Sequence, residues 1–290
     1  MMARALACAL LLLALAGCRT GGERVVIGSK NFTEQLVLGE LLAQHLEARG
    51  IPVERRFYLA GTFICQQAIL AGRIDLYPEY TGTALTAILK QAPSSDAHEV
   101  YARVRDEYRR RFNLEVAEPL GFNNTFAILI RGNDARRLGL RTISQAAHHA
   151  PNWRAGFGYE FMERPDGYQG LAKTYGLRFA EAPRVMDLGL LARALRDGQI
   201  DLAAGNSTDG LIPALDLFVL EDDRHYFPPY EAVPIVRREA LDRFPKLRES
   251  LSELAGKISE QEMQKLNYAV DGEHRDVAEL VREFRSRRGL

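Results

Sequence analysis

The chain has 290 residues, of which 47% are hydrophobic, which is enough for a sizeable core and for one to three domains. Lysine and arginine together number 38, as do aspartate and glutamate, so the formal net charge is zero. General nucleic-acid binders usually carry a basic excess, and we therefore expect no nucleic-acid partner.

The N-terminal segment has the pattern of a secretory signal. Arg4 precedes an apolar run over 5–16 that is too short to span a bilayer, for which about 20 residues are needed. We assign residues 1–17 to a signal peptide. The sequence LAGC at its end resembles the bacterial lipobox, in which the cysteine, here Cys18, is lipidated; an ordinary signal with a chance cysteine is the alternative. The segment predicts a lipidated tether over 18–23 and a protein on the periplasmic or extracellular face, anchored to a bacterial membrane.

The remaining cysteine and the histidines do not indicate a metal or a catalytic centre. Cys65 is the only cysteine after Cys18, so we expect no intrachain disulfide in the body and a buried apolar role for Cys65. The six histidines lack metal-binding spacing such as His-Glu-x-x-His, and neither a Gly-x-Ser-x-Gly elbow nor a phosphate-binding loop occurs. We therefore expect no cofactor, no metal and no enzymatic activity.

The first part of the body alternates between strand and helix patterns. Asn31 is predicted to cap the first helix, with Glu34 three residues later as its capping partner, and leucines at helical spacing continue to about residue 50. Strands are predicted over 24–28, over 53–59 and from Ile74, and a second helix over 63–71. This order predicts an α/β fold with a largely parallel sheet.

Two segments, AILAGRIDLYPEYTG and ALRDGQIDLAAGNSTDG, share a pattern at an offset of 126 residues. The offset aligns three pairs of residues: Gly72 with Gly198, Asp75 with Asp201, and Tyr80 with Asn206. Helix–glycine–strand units are common, so one match is weak, but a similar strand-to-turn passage (VIGSKNF and AGFGYEF) also begins each half. The two matches in the same order predict two similar lobes.

Ligands in open α/β sheets bind beyond the carboxyl ends of the strands. Tyr80 and Asn206 are predicted to lie past such ends, on opposite walls of one cleft. Asp75 and Asp201 are interpreted as structural residues that accept backbone hydrogen bonds. The stretch from Tyr230 onward is rich in charged residues with leucines at helical spacing, and it predicts closing helices packed on the first lobe.

Six motifs in order resemble the substrate-binding proteins of osmoprotectant ABC transporters, the glycine betaine/carnitine/choline family: IGSKNFTEQ, GRIDLYPEYTGT, GFNNTFAI, EFMERPDG, STDG and FPPY. The resemblance covers nearly the whole mature chain. It implies a two-lobed periplasmic-binding-protein fold (venus-flytrap, type II), with lobe I over 24–121 plus 228–290 and lobe II over 122–227. It also implies a monomer that captures a small quaternary-amine or zwitterionic solute and delivers it to an ABC permease with its ATPase. A ligand-sensing lipoprotein with the same lobes stays open as an alternative.

The resemblance assigns roles to residues of these motifs. A quaternary ammonium has no N–H to donate, so aromatic faces recognise it. Tyr80 and Tyr230 match cage tyrosines, and Lys30, Thr83 and Arg164 match positions that can meet a ligand carboxylate. Each assignment has a structural alternative: core packing for Tyr80, hinge packing for Tyr230, a solvated lysine at a helix start for Lys30, and a tie within its own turn for Arg164.

The sequence departs from the family pattern at two cage positions. Phe126 stands where a tyrosine is frequent and keeps a π face, whereas Asn206 replaces another cage tyrosine and has none. Asn124 of the same motif as Phe126 is also assigned to the ligand. The departures make a standard glycine-betaine cage doubtful and leave open a larger or more polar zwitterion, such as a histidine-derived betaine whose ring hydrogen-bonds to Asn206. Trp153 and Tyr159 are further aromatic candidates without an assigned place.

Overall fold

The described part of the chain, residues 23–290 of a computed structural model, forms two five-stranded sheets. The predicted signal peptide, Cys18 and most of the predicted tether lie outside the described residues. The strands are β1 Val25–Gly28, β2 Val53–Arg56, β3 Leu76–Tyr80, β4 Leu114–Val116, β5 Phe126–Arg131, β6 Ala155–Phe157, β7 Arg184–Val185, β8 Leu202–Asn206, β9 Leu217–Leu220 and β10 Ala232–Arg237. The first sheet has the order β2-β1-β3-β10-β4 and the second β7-β6-β8-β5-β9.

Helices cover both sheets. In chain order they are α1 Thr33–Ala48, α2 Thr62–Leu70, α3 Thr81–Thr83, α4 Ala97–Phe112, α5 Gly132–Leu138, α6 Ile143–Ala147, α7 Tyr159–Glu163, α8 Tyr168–Tyr175, α9 Leu188–Arg196, α10 Leu211–Ala214, α11 Arg238–Arg243, α12 Leu247–Ser252, α13 Glu260–Asp271 and α14 Val277–Arg288. The short α3 continues as a π-helix over Ala84–Ile88, and a 3-10 turn covers Ala150–Asn152. Within residues 23–290 no helix combines the length and the apolar character needed to cross a bilayer.

Each sheet contains one reversed strand. β1 pairs parallel with β2 and β3, but β10 runs antiparallel to β3 and β4. In the second sheet β6 pairs parallel with β7 and β8, and β5 runs antiparallel to β8 and β9. The other four strands of each sheet run in one direction, which confirms the prediction of a largely parallel sheet. The reversed strand in each sheet is the one that the chain enters directly after it crosses from the other sheet.

The chain passes between the sheets twice within the described residues, once between β4 and β5 and once between β9 and β10. The two passages lie side by side, since the Asn124 N–H donates to the Tyr230 carbonyl at 3.0 Å and Asn123 forms a bridge with Glu231. The strands of the first sheet fall within the ranges predicted for lobe I and those of the second within the range of lobe II. We keep these two names, while their borders stay a prediction.

Two local expectations about lobe I are wrong. Phe32, not Asn31, is the N-cap of α1, and no side chain caps this helix, because phenylalanine has no hydrogen-bond acceptor. The Glu34 carboxylate has other partners, among them the Tyr80 hydroxyl. Strand β3 begins at Leu76 rather than at Ile74 and ends at Tyr80, so Tyr80 does not lie past the strand end. The same correction holds in lobe II, where Asn206 is the last residue of β8.

The C-terminal helices α12, α13 and α14 pack on α1, as the sequence predicts. Leu251, Met263 and Val281 from these helices are buried in one core cluster with Leu38 and Leu42 of α1. Their burial extends the apolar layer of lobe I, which the short strands of the first sheet alone would leave exposed. Cys65 is fully buried, as expected.

Candidate functional site

A cavity between the lobes is lined by all eight residues that the sequence assigns to the ligand: Lys30, Tyr80, Thr83, Asn124, Phe126, Arg164, Asn206 and Tyr230. Tyr80 ends β3, Asn206 ends β8 and Phe126 begins β5, so the ends of three strands from two sheets meet at this cavity. Tyr80 and Asn206 line the same space from different sheets, in agreement with the predicted opposite walls.

Lys30 is buried on the lobe I wall and already has a partner. Its side chain is 3% exposed, and its ammonium forms an ion pair with the fully buried carboxylate of Glu79. The same ammonium lies 4.9 Å from the centroid of the Tyr80 ring. The interpretation of Lys30 as a solvated lysine is therefore wrong, and its charge is balanced before any solute arrives.

Tyr80 lines the cavity and also belongs to the lobe I core, so its two proposed roles coexist. Its hydroxyl donates to Oε1 of Glu34 at 2.6 Å, and its ring stacks on Phe32 with 6.5 Å between centroids. Burial, with the neighbouring Glu34 carboxylate, raises the pKa of Tyr80 well above its usual range. The hydroxyl consequently stays protonated and donates at physiological pH.

Arg164 of lobe II is tied to its own turn and also reaches lobe I. Its Nε donates to Asp166 at 2.9 Å in a two-pronged ion pair, while Nη1 donates to the Thr83 hydroxyl at 3.0 Å. Asp166 also accepts the Tyr230 hydroxyl at 2.6 Å. Burial alone would raise the pKa of Asp166, but the Arg164 guanidinium outweighs burial and lowers it, so the pair stays ionised.

The aromatic residues around Phe126 form a connected group. Phe126 meets Tyr230 edge to face with 5.6 Å between centroids and also contacts Phe161 and Phe227. The Arg164 guanidinium lies 5.0 Å from the Phe126 centroid and 5.8 Å from that of Tyr230. Together with Lys30 over Tyr80, each of the three predicted cage rings therefore has a cation near it, an arrangement that ring quadrupoles stabilise.

The two departures from the family pattern are neighbours in space. Phe126 and Asn206 are directly opposite each other in the antiparallel pair β5–β8. Residues in this position share one face of the sheet, with Cβ atoms about 5 Å apart. Both are only partly buried, whereas the other six predicted residues are buried. At this point the lobe II wall thus presents the Phe126 ring beside the Asn206 amide.

Residues 23–287 match the family described as the substrate binding domain of the ABC-type glycine betaine transport system. The chain belongs to this family. The match covers nearly all described residues and includes every residue that lines the cavity.

Relatives and solved structures agree with this assignment. The binding protein is 34% identical over 265 residues to the carnitine transport binding protein of Listeria monocytogenes, covering 90% of this chain and 86% of the relative. It is also 34% identical over 267 residues to the ergothioneine transport permease/ergothioneine binding protein of Helicobacter pylori (strain G27), covering 92% of this chain but only 48% of that relative. This chain therefore spans about half the length of the Helicobacter protein.

A crystal structure described as a glycine betaine/carnitine/choline ABC transporter superposes with a TM-score of 0.76 at 33% identity, covering 91% of this chain and 98% of that one. The binding protein therefore has the two-lobed periplasmic-binding fold that its motifs imply, and this expectation is confirmed. The family is one of substrate-binding transport proteins and not of enzymes. Among residues 23–290 no group of three or more histidine, cysteine or acidic side chains could hold a metal ion.

Sequence reasoning missed part of the lining of the binding protein's cavity. Glu160 of lobe II lines it and accepts the backbone N–H of Thr62, at the start of α2 in lobe I, at 2.6 Å. The sequence predicts Glu34 as a helix-capping residue, but its carboxylate instead accepts the hydroxyl of Tyr80, 46 residues away along the chain, and no local pattern indicates this contact. Tyr159 lines the cavity, but Trp153 is not among its lining residues and stacks on His149 at 5.8 Å instead.

Proposed function

We propose that this chain is an extracytoplasmic solute-binding lipoprotein of an ABC importer and that its interlobe cavity captures a betaine-type osmoprotectant for delivery to a permease. The observation that carries the proposal is the convergence of Tyr80, Phe126 and Tyr230 on one cavity that also contains two buried cations. A betaine needs both features, since its trimethylammonium end is recognised by aromatic faces and its carboxylate by hydrogen-bond donors.

The distribution of charge supports a cationic group at the aromatic faces. Both buried cations, Lys30 and Arg164, are balanced by protein carboxylates, Glu79 and Asp166. Glu160 adds a further acid to the lining. A trimethylammonium group would therefore meet a wall with surplus negative charge, and each good cation–π contact contributes about 0.5–2 kcal/mol. The solute's carboxylate finds donors in the Thr83 hydroxyl, the Asn124 amide and the Nη1 edge of Arg164.

A histidine-derived betaine is our second candidate solute, and Asn206 favours it. Its side chain offers one acceptor and two donors at a position beside Phe126, where a tyrosine ring would leave only a hydroxyl. Ergothioneine is a betaine of this type, and the Helicobacter relative is named for it. An imidazole-derived ring could accept or donate a hydrogen bond to Asn206 while its trimethylammonium end rests on the aromatic group.

Titration calorimetry with glycine betaine, choline, carnitine and ergothioneine tests the proposal. We expect at least one betaine to bind with micromolar or tighter affinity, and choline, which lacks the carboxylate, to bind more weakly than the best betaine. No heat with any of the four compounds, together with no small molecule in native mass spectra of protein purified from its own cells, would contradict a betaine receptor. A preference for ergothioneine selects the second candidate.

The lipid anchor is tested separately. Cys18→Ser should move the protein from the membrane fraction to the soluble periplasmic or secreted fraction, because lipidation needs the cysteine thiol. Cys8→Ser is the matched control, since it removes a cysteine from the same N-terminal segment and should leave the protein in the membrane fraction. Unchanged membrane association of Cys18→Ser would count against the lipobox.

A further inference from the structure

The carboxylate of Glu34 lies at the junction of both lobes and of a crossing segment. Glu34 is in the first turn of α1 and is 2% exposed. Its Oε1 accepts the Tyr80 hydroxyl at 2.6 Å and the Asn124 amide at 2.8 Å. Its Oε2 accepts the Asn267 amide at 3.0 Å and the hydroxyl of Thr208, which follows β8 in lobe II. One buried carboxylate therefore holds a ring of the binding cavity and a residue of the opposite lobe.

All four partners of Glu34 are neutral groups. A carboxylate has about four acceptor positions, and here each oxygen receives two hydrogen bonds, so the group is filled without a counter-ion. Burial raises the pKa of Glu34, and the hydrogen bonds from Thr208, Tyr80, Asn267 and Asn124 oppose that rise. A buried carboxylate with neutral partners is a weak source of stability. The arrangement is better explained by what the carboxylate positions.

A second carboxylate between the lobes holds the other cage tyrosine, since Asp166 of lobe II accepts the Tyr230 hydroxyl, but Asp166 is balanced by the charge of Arg164. The Glu160 carboxylate accepts the Thr62 N–H and holds no cage ring by its hydroxyl. A second hydrogen bond holds the turn at Thr208 near Glu34, since the Asn267 amide donates to the Thr208 carbonyl at 2.9 Å. Opening the cleft by rotation about the crossing segments would separate Thr208 from both groups.

We propose, building on the betaine-binding function above, that Glu34 is a positioning residue that links the orientation of the Tyr80 ring to closure of the two lobes. With Thr208 docked, all four acceptor positions are used and the carboxylate holds the Tyr80 hydroxyl in place. With the lobes apart, the carboxylate loses one donor and gains water. Closure and ring position are then stabilised together, and the solute dissociates slowly.

Dissociation kinetics of Thr208→Val test the link, with Thr208→Ser as the matched control that keeps the hydroxyl. The solute is whichever of glycine betaine, carnitine and ergothioneine the wild type binds. We expect it to dissociate from Thr208→Val at least about tenfold faster than from the wild type, because the hydrogen bond from the Thr208 hydroxyl to the charged Glu34 is lost. Association should change by less than about twofold, since solute enters the open form. Thr208→Ser should behave like the wild type. Equal dissociation rates for Thr208→Val and the wild type overturn the proposal.

A double-mutant cycle separates a positioning role from simple packing. Tyr80→Phe and Thr208→Val should be non-additive, since both act through one carboxylate, and in Glu34→Gln the Thr208→Val step should add less than about a twofold change. Fully additive effects overturn the link. If none of the three solutes binds the wild type, the betaine proposal fails. Small-angle scattering without solute then tests the link between Glu34 and lobe closure. A larger radius of gyration for Thr208→Val than for Thr208→Ser supports the link, and equal radii overturn it.

Discussion

The two lobes share one construction but present different side chains to the cavity. In the alignment of the two segments at an offset of 126 residues, Gly72 and Gly198 both have positive φ, at 65° and 69°. Asp75 accepts the Val26 N–H and Asp201 accepts the Arg154 N–H, both at 3.0 Å, which confirms the predicted structural role of these aspartates. Each aspartate therefore ties the start of its own strand to the start of the neighbouring one.

The reversed strands correspond as well. Arg237 ends β10 and approaches Asp75 to 3.9 Å, whereas Arg131 ends β5 and donates to Asp201 at 2.8 Å. At the other end of these strands the lobes differ. Lobe I pairs Tyr80 with the small Ala232, and lobe II pairs Asn206 with the large Phe126. The aromatic residue of the pair therefore lies on β3 in lobe I but on the reversed strand β5 in lobe II.

This difference separates the scaffold from recognition. The aspartate ties lie at the strand starts, far along the sheet from the cavity, and they satisfy backbone groups that must be paired in any solute-bound or solute-free state. The side chains of Tyr80 and Asn206 do not satisfy a backbone group in this way, and they differ in size and polarity between the lobes. The cavity consequently combines a ring from the central strand of one lobe with a ring from the reversed strand of the other.

The largest expected effect is on the scaffold. Burial pushes the pKa of Asp201 up, but hydrogen bonds from Arg154 and Arg131 outweigh burial and hold it at about 2. Asp201→Ala should lower the free energy of unfolding by about 2 kcal/mol at pH 7, after allowing for partial exposure. The Asp201 contribution is present above about pH 4 and is lost as the pH falls toward 2, because the folded pKa lies below the unfolded one.

Urea denaturation of Asp201→Ala and Asp75→Ala checks whether the two ties are equivalent. Asp197→Ala is the control, since Asp197 is an exposed residue in the same connection, and it should change stability little. A loss of stability in only one of the two variants would break the correspondence between the lobes.

The next effect is on affinity. Tyr80→Ala removes the ring of the lobe I wall and should cost roughly 1–2 kcal/mol from cation–π contact alone, so affinity should fall at least several-fold. Tyr80→Phe keeps the π face and should cost less, apart from the hydrogen bond to Glu34. Phe126→Ala is the matched change in lobe II. Calorimetry with the preferred betaine measures all three, and wild-type affinity in Tyr80→Ala would leave this tyrosine as a purely structural corner.

A third change makes the two walls more alike. Asn206→Tyr adds a ring beside Phe126, which should tighten glycine betaine and crowd out a bulkier solute. We expect the ratio of glycine betaine affinity to ergothioneine affinity to rise about tenfold, equivalent to about 1.4 kcal/mol. Phe126→Tyr restores the family hydroxyl without adding a ring and serves as the control. An unchanged ratio in Asn206→Tyr, measured by calorimetry, would mean that position 206 does not set specificity.

The smallest effect concerns Asp209, which aligns with the neutral Thr83 of lobe I. Burial raises the pKa of Asp209 to about 6, and although the Leu211 N–H opposes the rise, nearby Asp271 and Glu34 reinforce it, with Arg193 only partly compensating. The folded protein therefore binds a proton more tightly than the unfolded one, and stability falls as the pH rises from about 4 to about 6.

Asp209→Asn removes this dependence and keeps an oxygen for the Leu211 N–H. It should raise the free energy of unfolding by about 1 kcal/mol at pH 7 and flatten its change between pH 4 and 6. Thermal unfolding across this pH range measures both. If Asp209→Asn is less stable than the wild type at pH 7, the charge of Asp209 stabilises the fold, which contradicts this prediction.

The local elements and the site composition followed from the sequence alone. Periodic leucines and the glycine-ended helix patterns placed β1, α1, α2 and the repeat, because backbone geometry and apolar spacing are local properties. The family motifs named eight residues that line one cavity. The structural role of Asp75 and Asp201 could also be predicted, since a carboxylate just before a strand lies near backbone N–H groups whose hydrogen bonds it can accept.

Contacts between distant segments were decided only by the tertiary structure. The reversed strands β10 and β5 depend on the direction in which the chain returns from the other sheet, and no local pattern encodes that direction. The partners of Lys30 and Arg164 show the same limit, as does the place of Glu34. Glu34 looks like a helix cap from its neighbours in sequence, yet its four donors lie 46 to 233 residues away along the chain. A buried carboxylate takes the partners that folding brings within hydrogen-bond distance, and only the folded chain decides which they are.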